Sequence, residues 1–332
     1  LGRTRNTDGG WGDSPRSGSN VSTTALVLAA LTLADGRQEL REDAQHYVDR
    51  HGGLPGIIAR YGEDKTFSAP ILTNLALARL ADWRECPQLP FWLAALPRRL
   101  FPLLGLRVLS YALPALIGVG LARFNRLTGP SGPARSFRAA TIPRVLRLLE
   151  HITPRSGGYL EATPITGFVA MSLIAAGYRS HPVVERNIGF LCDMQAEDGS
   201  WRIERDLAVW LTTLSVNALG SGDTATRHAL LEAQMTTHHP YVGSAPGGWG
   251  WTCTDGSVPD ADDTSGALLA LRRLPECPEN GKAAREGVRW LLGLQNRNGG
   301  WPTFCRGWMK LPFDQSCADI TAHAVRALLA WP

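Results

Sequence analysis

A short turn ending in an aromatic residue returns along the chain at intervals of roughly fifty residues, a period that restricts the fold to repeats burying one another's apolar faces. The fullest copies are "MQAEDGSW" (194–201) and "LQNRNGGW" (294–301), which share a Gln, an Asp or Asn, a Gly, a small residue and Trp. Shorter copies are "DGGW" ending at Trp11, "SGGY" ending at Tyr159 and "PGGW" ending at Trp249. Apolar helical patterns follow the turns and align on a Thr with a Leu two helical turns later: Thr24 and Leu31, Thr166 and Leu173, Thr212 and Leu219, Thr264 and Leu271, Thr321 and Leu328. That spacing puts each pair on one helix face. A second helical pattern precedes the turn, as in "HPVVERNIGFLCDMQ" and "GKAAREGVRWLLGLQ". Helix, turn and helix, repeated with almost no strand signal, predict an all-α chain of the α/α toroid class, inner and outer helices alternating.

One inner-helix pattern starts unusually. "VPDADDTSGALLAL" (258–271) places Asp260, Asp262 and Asp263 at the mouth of an apolar run. Asp is a good N-cap and suits the positive end of a helix, which accounts for one carboxylate or two. The repeats supply an internal control, because two residues before the aligned Thr stand Ser22, Pro164, Trp210, Asp262 and Asp319. A fold that accepts Ser, Pro or Trp there does not require Asp. In a toroid the inner-helix N-termini ring one end of a cavity, which brings Trp210, Asp262 and Asp319 toward the same space. His323 follows Asp319 by one helical turn.

Composition narrows the alternatives. With 34 Lys and Arg against 30 Asp and Glu, the net charge of +4 is too mild to indicate a nucleic-acid binder. The six cysteines show neither C-x-x-C nor zinc-finger spacing and read as reduced thiols of a cytoplasmic protein. Eleven Trp against six Tyr and nine Phe mark a chain rich in large aromatic faces. The chain begins without Met inside a copy of the turn and stops on an apolar helical pattern, so a fragment is expected.

"PDADDTSGALLAL" resembles the D-x-D-D-T motif of class II terpene cyclases, and the Gln-to-Trp turns are similar to the QW repeats of squalene-hopene cyclases. The resemblance runs over most of the chain. It implies two α/α barrel domains, an inserted one at 1–145 and a catalytic one at 146–332 that is incomplete, lacking further repeats that close the barrel. The activity it implies is protonation-initiated cyclisation of a polyprenyl substrate, squalene to a hopene-like triterpene, by an enzyme with no cofactor and no metal. Carried over residue by residue, Asp262 is the general acid, flanked by Asp260 and Asp263. "DITAHAV" (319–325) is similar to the segment holding the acid's histidine partner, so His323 would bond Asp262, with Asp319 behind it. "AVWLTTL" (208–214) makes Trp210 a cavity aromatic, although Leu211 stands where the pattern has Asp. Trp251 matches a cavity Phe, and Phe304 matches a Tyr.

The resemblance also implies monotopic attachment at the cytoplasmic face of the inner membrane, and it is compatible with a homodimer. The stretch at 90–124 carries the membrane signal, interrupted by Arg98, Arg99 and Arg107 and by Pro97, Pro102 and Pro114. It suits an in-plane anchor better than a span of about 20 apolar residues; a buried helix pair is the alternative.

The chemistry explains the residue types. An alkene is an extremely weak base, so its protonation needs a carboxylic acid that keeps its proton near neutral pH, and crowding three carboxyls in a low-dielectric place is one way to arrange that. The resulting carbocation must meet no nucleophile, which suits a wall of aromatic faces worth about 0.5–2 kcal/mol each in cation–π attraction. Two other readings stand beside this one. Cys317, Asp319 and His323 could be zinc ligands of a prenyltransferase-like subunit, and a toroid of this kind could bind a lipid or a partner without catalysis.

Overall fold

The computed structural model describes residues 1–61, 65–97, 100–101, 110–127, 129, 132–240, 242–306 and 314–332. Among them are thirteen α-helices and no strand, only isolated bridges. The helices are α1 (Val21–Leu33), α2 (Gln38–Arg50), α3 (Gly53–Tyr61), α4 (Lys65–Leu77), α5 (Leu113–Arg126), α6 (Pro133–Ile152), α7 (Thr163–Ala175), α8 (Pro182–Met194), α9 (Ala208–Leu219), α10 (Thr224–Glu232), α11 (Ala261–Leu271), α12 (Pro278–Leu294) and α13 (Ala318–Ala330). The chain is all-α, of the α/α toroid class expected from the repeats. It divides into two compact units, one formed by Leu1–Phe91, Ile117–Pro133 and Met171–Arg179, the other by Trp92–Leu116, Ala134–Ala170 and Ser180–Pro332. The boundary expected at 145/146 falls inside α6.

Inner and outer helices differ in how much of their circumference is apolar. In the first unit α1 packs against both α2 and α4 and buries Val21, Ala25, Val27, Leu28 and Leu31, which lie around most of its surface. Its partner α2 buries only a stripe of Leu40, Ala44, Tyr47 and Val48 and turns its charges outward. The second unit repeats the contrast. There α11 packs on α9, α12 and α13 and is buried nearly all round, whereas α12 buries a stripe of Ala283, Ala284, Gly287, Trp290, Leu291 and Leu294.

The Gly-Trp turn joins an outer helix to the next inner one through a fixed set of bonds. Its first glycine (Gly9, Gly157, Gly199, Gly247, Gly299) always has a positive φ, between 80° and 114°, a region that side chains other than glycine's enter at a cost. In three copies the preceding Asp or Asn accepts from the amide two residues on, Asp8 from Gly10, Asp198 from Ser200 and Asn298 from Gly300. The Trp backbone N–H then donates to the hydroxyl of the aligned Thr, Trp11 to Thr24 (2.9 Å), Trp249 to Thr264 (3.0 Å) and Trp301 to Thr321 (3.0 Å). The Trp carbonyl accepts from the N-cap residue of the inner helix, Asn20, Asp260 or Cys317. The indole N–H reaches back to a carbonyl of the outer helix, from Trp301 to Leu291, from Trp249 to Leu230 and from Trp201 to Leu191. Trp11, Trp249 and Trp301 are buried. Trp201, for which no bond to Thr212 is formed, remains 48% exposed.

Successive repeats are stitched at the starts of their inner helices. Thr163 at the head of α7 donates to Ile203, Val209 and Trp210 at the head of α9 donate to Trp251, and Ala261 at the head of α11 donates to Thr303. These bonds hold the N-termini of α7, α9 and α11 each against the turn that leads into the next inner helix.

The stretch at 90–124 lies partly outside the described residues. In its described end, α5, Ile117, Val119, Leu121 and Ala122 are buried. No helix among the described residues is long and apolar enough to cross a membrane.

A substitution tests the packing of the second unit. Replacing glycine by alanine inside a helix ordinarily gains about 1 kcal/mol. At Gly287, however, a Cβ would stand 2.7 Å from Cζ3 of Trp249 and 3.1 Å from Leu268, and such overpacking costs about 1–3 kcal/mol. Gly287→Ala is therefore expected to lower the unfolding free energy measured in urea, and a rise would show that the Trp249 ring has room to move.

Candidate active site

Three inner helices of the second unit, α9, α11 and α13, lie side by side and carry most of the candidate residues. The close approach of α9 to α11 depends on Gly266, one turn into α11 from Asp262. A Cβ there would lie 2.9 Å from the Thr213 hydroxyl of α9 and 3.8 Å from the His323 ring of α13. Asn217 of α9 donates to the Gly266 carbonyl, and the indole of Trp331, just past α13, donates to Leu268.

The three aspartates have separate duties. Asp260 is the N-cap of α11, its carboxylate accepting from the Asp263 amide at 2.8 Å, so the capping role that helix propensity assigns to an acidic start falls to it alone. Asp260 and Asp263 are both buried. Burial, ahead of the neighbouring carboxylates, pushes the Asp260 carboxyl well above the usual range. Burial also raises Asp263, to about 6, while a hydrogen bond from Asp260 acts the other way. The proton of this pair therefore rests on Asp260, which donates to Asp263. Asp263 Oδ1 is buried with no partner among the described residues. Crowding of carboxyls was one expected cause of raised pKa values here, and it does act on Asp260 and Asp263. Burial is the larger one, and it acts on the two flanking residues.

Asp262 has no capping bond and turns to α13. Its Oδ1 lies 2.7 Å from Nδ1 of His323, with the Asp262 side chain 38% and the His323 side chain 23% exposed. This is the pair expected from the sequence. Asp319 is not part of it. Its carboxylate accepts from the Cys317 thiol at 2.6 Å and from the Ile320 amide, and these bonds hold it below the usual carboxylate range. Asp319 is exposed and forms no hydrogen bond with His323, so the expectation that it stands behind the histidine is corrected: the Cys317 thiol, two residues away, captures its carboxylate. Cys317, Asp319 and His323, weighed above as zinc ligands, do not converge, and the described residues contain no group of three or more His, Cys, Asp or Glu side chains placed to hold a metal.

The aromatic residues assemble beside these helix starts. Trp210 is half-buried on the first turn of α9, its amide bonded to the Trp251 carbonyl at 3.2 Å. The ring of Trp251 meets that of Phe304 edge to face, centroids 5.9 Å apart and planes at 84°. Its Nε1 is buried without a partner among the described residues. Phe304 follows Thr303, the residue bonded to the head of α11. Tyr111 adds a third ring, 4.6 Å from Phe304 and tilted by 45°. No local signal in the sequence pointed to Tyr111, which sits in the stretch read as a membrane anchor. Glu161 is a buried carboxylate that the sequence did not mark: it sits at a φ of 53°, accepts from the Ser156 hydroxyl, faces Arg205 and lies against Gly256.

Residues 207–330 match the family described as the squalene-hopene cyclase C-terminal domain. Over almost its whole length the chain is similar to cyclases. It is 25% identical to the enfumafungin synthase of Hormonema carpetanum over 97% of this chain and 30% of that protein. It is 23% identical to a squalene hopane cyclase of Aspergillus fumigatus over 98% of this chain and 54% of that one. Against the squalene-hopene cyclase of Alicyclobacillus acidocaldarius the identity is 30%, over 34% of this chain and 20% of that protein. The chain thus spans from under a third to about half of the length of the first relatives it matches.

The raised carboxyls carry a pH dependence whose sign is fixed. Below about pH 4 the Asp263 carboxyl is protonated in both the folded and the unfolded chain; between about 4 and 6 only the folded chain holds the proton, so its stabilising effect is lost as pH rises through about 6. Asn does not titrate. Relative to the wild type, Asp263→Asn should therefore gain stability between pH 4 and 6, by at most about 1.4 kcal/mol per pH unit. Urea denaturation across that range measures the difference, and a difference independent of pH would mean that the folded state does not hold the proton.

Proposed function

We propose that the protein starts a carbocation cyclisation by protonating a polyprenyl substrate, a squalene-like polyene closing to a hopene-like polycyclic triterpene, as a class II terpene cyclase. The observation that carries the reading is the Asp262–His323 pair at 2.7 Å, on the one aspartate of the three that neither caps α11 nor is buried with the others. The similarity to cyclases along most of the chain supports it.

Asp262 is the general acid. The π electrons of a terminal alkene take its proton, the O–H bond breaks, and a tertiary carbocation and an aspartate carboxylate remain. His323, as an imidazolium, donates from Nδ1 to Oδ1 of Asp262 and stabilises the charge left behind. The neutral Asp260 and its partner Asp263 hold the head of α11 in place without contributing the proton. Trp210, Trp251 and Phe304 offer faces along which the cation is stabilised and water excluded. The reading includes attachment at the cytoplasmic face of the inner membrane through the part of 90–124 outside the buried residues of α5, and the organisation into an inserted and a catalytic barrel.

Incubation with squalene and with geranylgeranyl diphosphate, followed by mass spectrometry, tests the reaction. Asp262→Asn should lower cyclised product by at least about a hundredfold with the melting temperature nearly unchanged, since the amide keeps the shape and loses only the proton. His323→Ala should cost less, about tenfold or more, because it tunes the acid without being it. More than a few per cent of activity in Asp262→Asn would remove Asp262 as the acid.

A further inference from the structure

We propose that Tyr111 is a specificity-determining residue of this site, fixing the Phe304 ring and so the aromatic surface presented to the cyclising cation; the proposal rests on the functional reading above. Phe304 contacts Trp251 edge to face and Tyr111 at 4.6 Å, so its plane is set by two neighbours rather than one. Aromatic pairs of this kind have definite preferred orientations. Trp251 comes from the turn before α11, Phe304 from the turn before α13, and Tyr111 from the residues leading into α5. The backbone under Tyr111 is itself held, with Ala112 bonded to the Ser110 hydroxyl and Leu113 to the Ser110 carbonyl.

The surroundings are apolar. Burial pushes the Tyr111 phenol up and keeps it neutral, and beside it burial pushes the Cys305 thiol up to about 12. Tyr111 therefore brings no charge to the site. What it brings is a ring packed on a ring, one residue from the Thr303 carbonyl that anchors the head of α11. In a cation cascade the product depends on where successive positive centres are stabilised, and a Phe304 free to turn would move one of those places.

The variants to compare are Tyr111→Phe, Tyr111→Leu, Tyr111→Met, Phe304→Leu and the double variant Tyr111→Leu/Phe304→Leu. Two quantities are read: the ratio of fully to partly cyclised products from squalene, and the affinity for N,N-dimethylfarnesylamine, a protonated amine that stands in for the cation, by calorimetric titration. Tyr111→Phe keeps the ring and should leave both within about twofold. Tyr111→Leu should shift the product ratio toward partly cyclised compounds several-fold and weaken the amine about tenfold, the scale of one cation–π contact, while total substrate consumption falls less. Tyr111→Met, nearer in volume but without a ring, should behave as Tyr111→Leu does and replaces it if that variant loses helix content. The double variant should be no worse than Phe304→Leu, because Tyr111 acts through that ring. Unchanged product ratio and affinity in both ring-deleting variants, or additive losses in the double variant, would overturn the proposal. A wild type that binds the amine with this pattern and yet forms no cyclised product would remove the functional reading and leave the role of Tyr111 in holding a cation-binding ring standing.

Discussion

A hydrogen bond between a threonine hydroxyl and a tryptophan amide holds three of the repeats together, among them the two that carry Asp262 and His323, and the placement of the functional groups follows from it. The Thr lies one turn into the inner helix and the Trp ends the turn before it, so the bond fixes the angle at which the inner helix leaves the turn. The N-cap residue closes the same ring of bonds through the Trp carbonyl. Both groups are buried in α11, where an unmade hydrogen bond would cost about 1–3 kcal/mol. The N-cap and the Thr are thereby committed to structure, and the position midway between them, two before the Thr, is not.

Asp262 occupies that uncommitted position. Its neighbour Asp260 supplies the cap and the buried, protonated carboxyl, and Asp263 shares the hydrogen bond. Since the cap and the proton-holding pair are provided by other residues, Asp262 can point at His323 on the adjacent helix without leaving a helix end unsatisfied. Gly266, one turn further along α11, lets α9 pack closely on the same helix. A side chain there would meet Thr213 first.

The sequence revealed the repeats because their signals are local. A positive-φ glycine, a turn acceptor, an aromatic anchor and a two-turn apolar spacing all fall within some thirty residues, and each has a physical cause readable from residue type alone. The Asp262–His323 pair was legible through the register of the repeats, which puts equivalent positions of adjacent inner helices side by side. Asp319 obeyed the same register and was still misplaced, because its nearest hydrogen-bond donor is the Cys317 thiol, a detail of rotamer and reach that register does not carry. Tyr111 and Glu161 were invisible for another reason. Tyr111 meets Phe304 and Glu161 lies against Arg205 and Gly256, all distant in the chain, and nothing in an apolar run or in "SGGYLEATP" marks a ring or a carboxylate that such residues will cover.

These contacts differ widely in the length of chain they close. The Thr–Trp bonds join residues 13 to 20 apart in sequence, so their loops close cheaply and each turn can form as a local unit. The Asp262–His323 pair spans 61 residues and needs two finished repeats. The contact of Tyr111 with Phe304 reaches across most of the second unit's stretch of chain, and loop-closure entropy must be met by the packing of everything between before it can form. Within the aromatic wall the Trp251–Phe304 contact joins nearer residues than the Asp262–His323 pair does, so the long loop is borne by Tyr111 alone. Of the contacts that line the site, that of Tyr111 with Phe304 depends most on the packing of the rest of the unit.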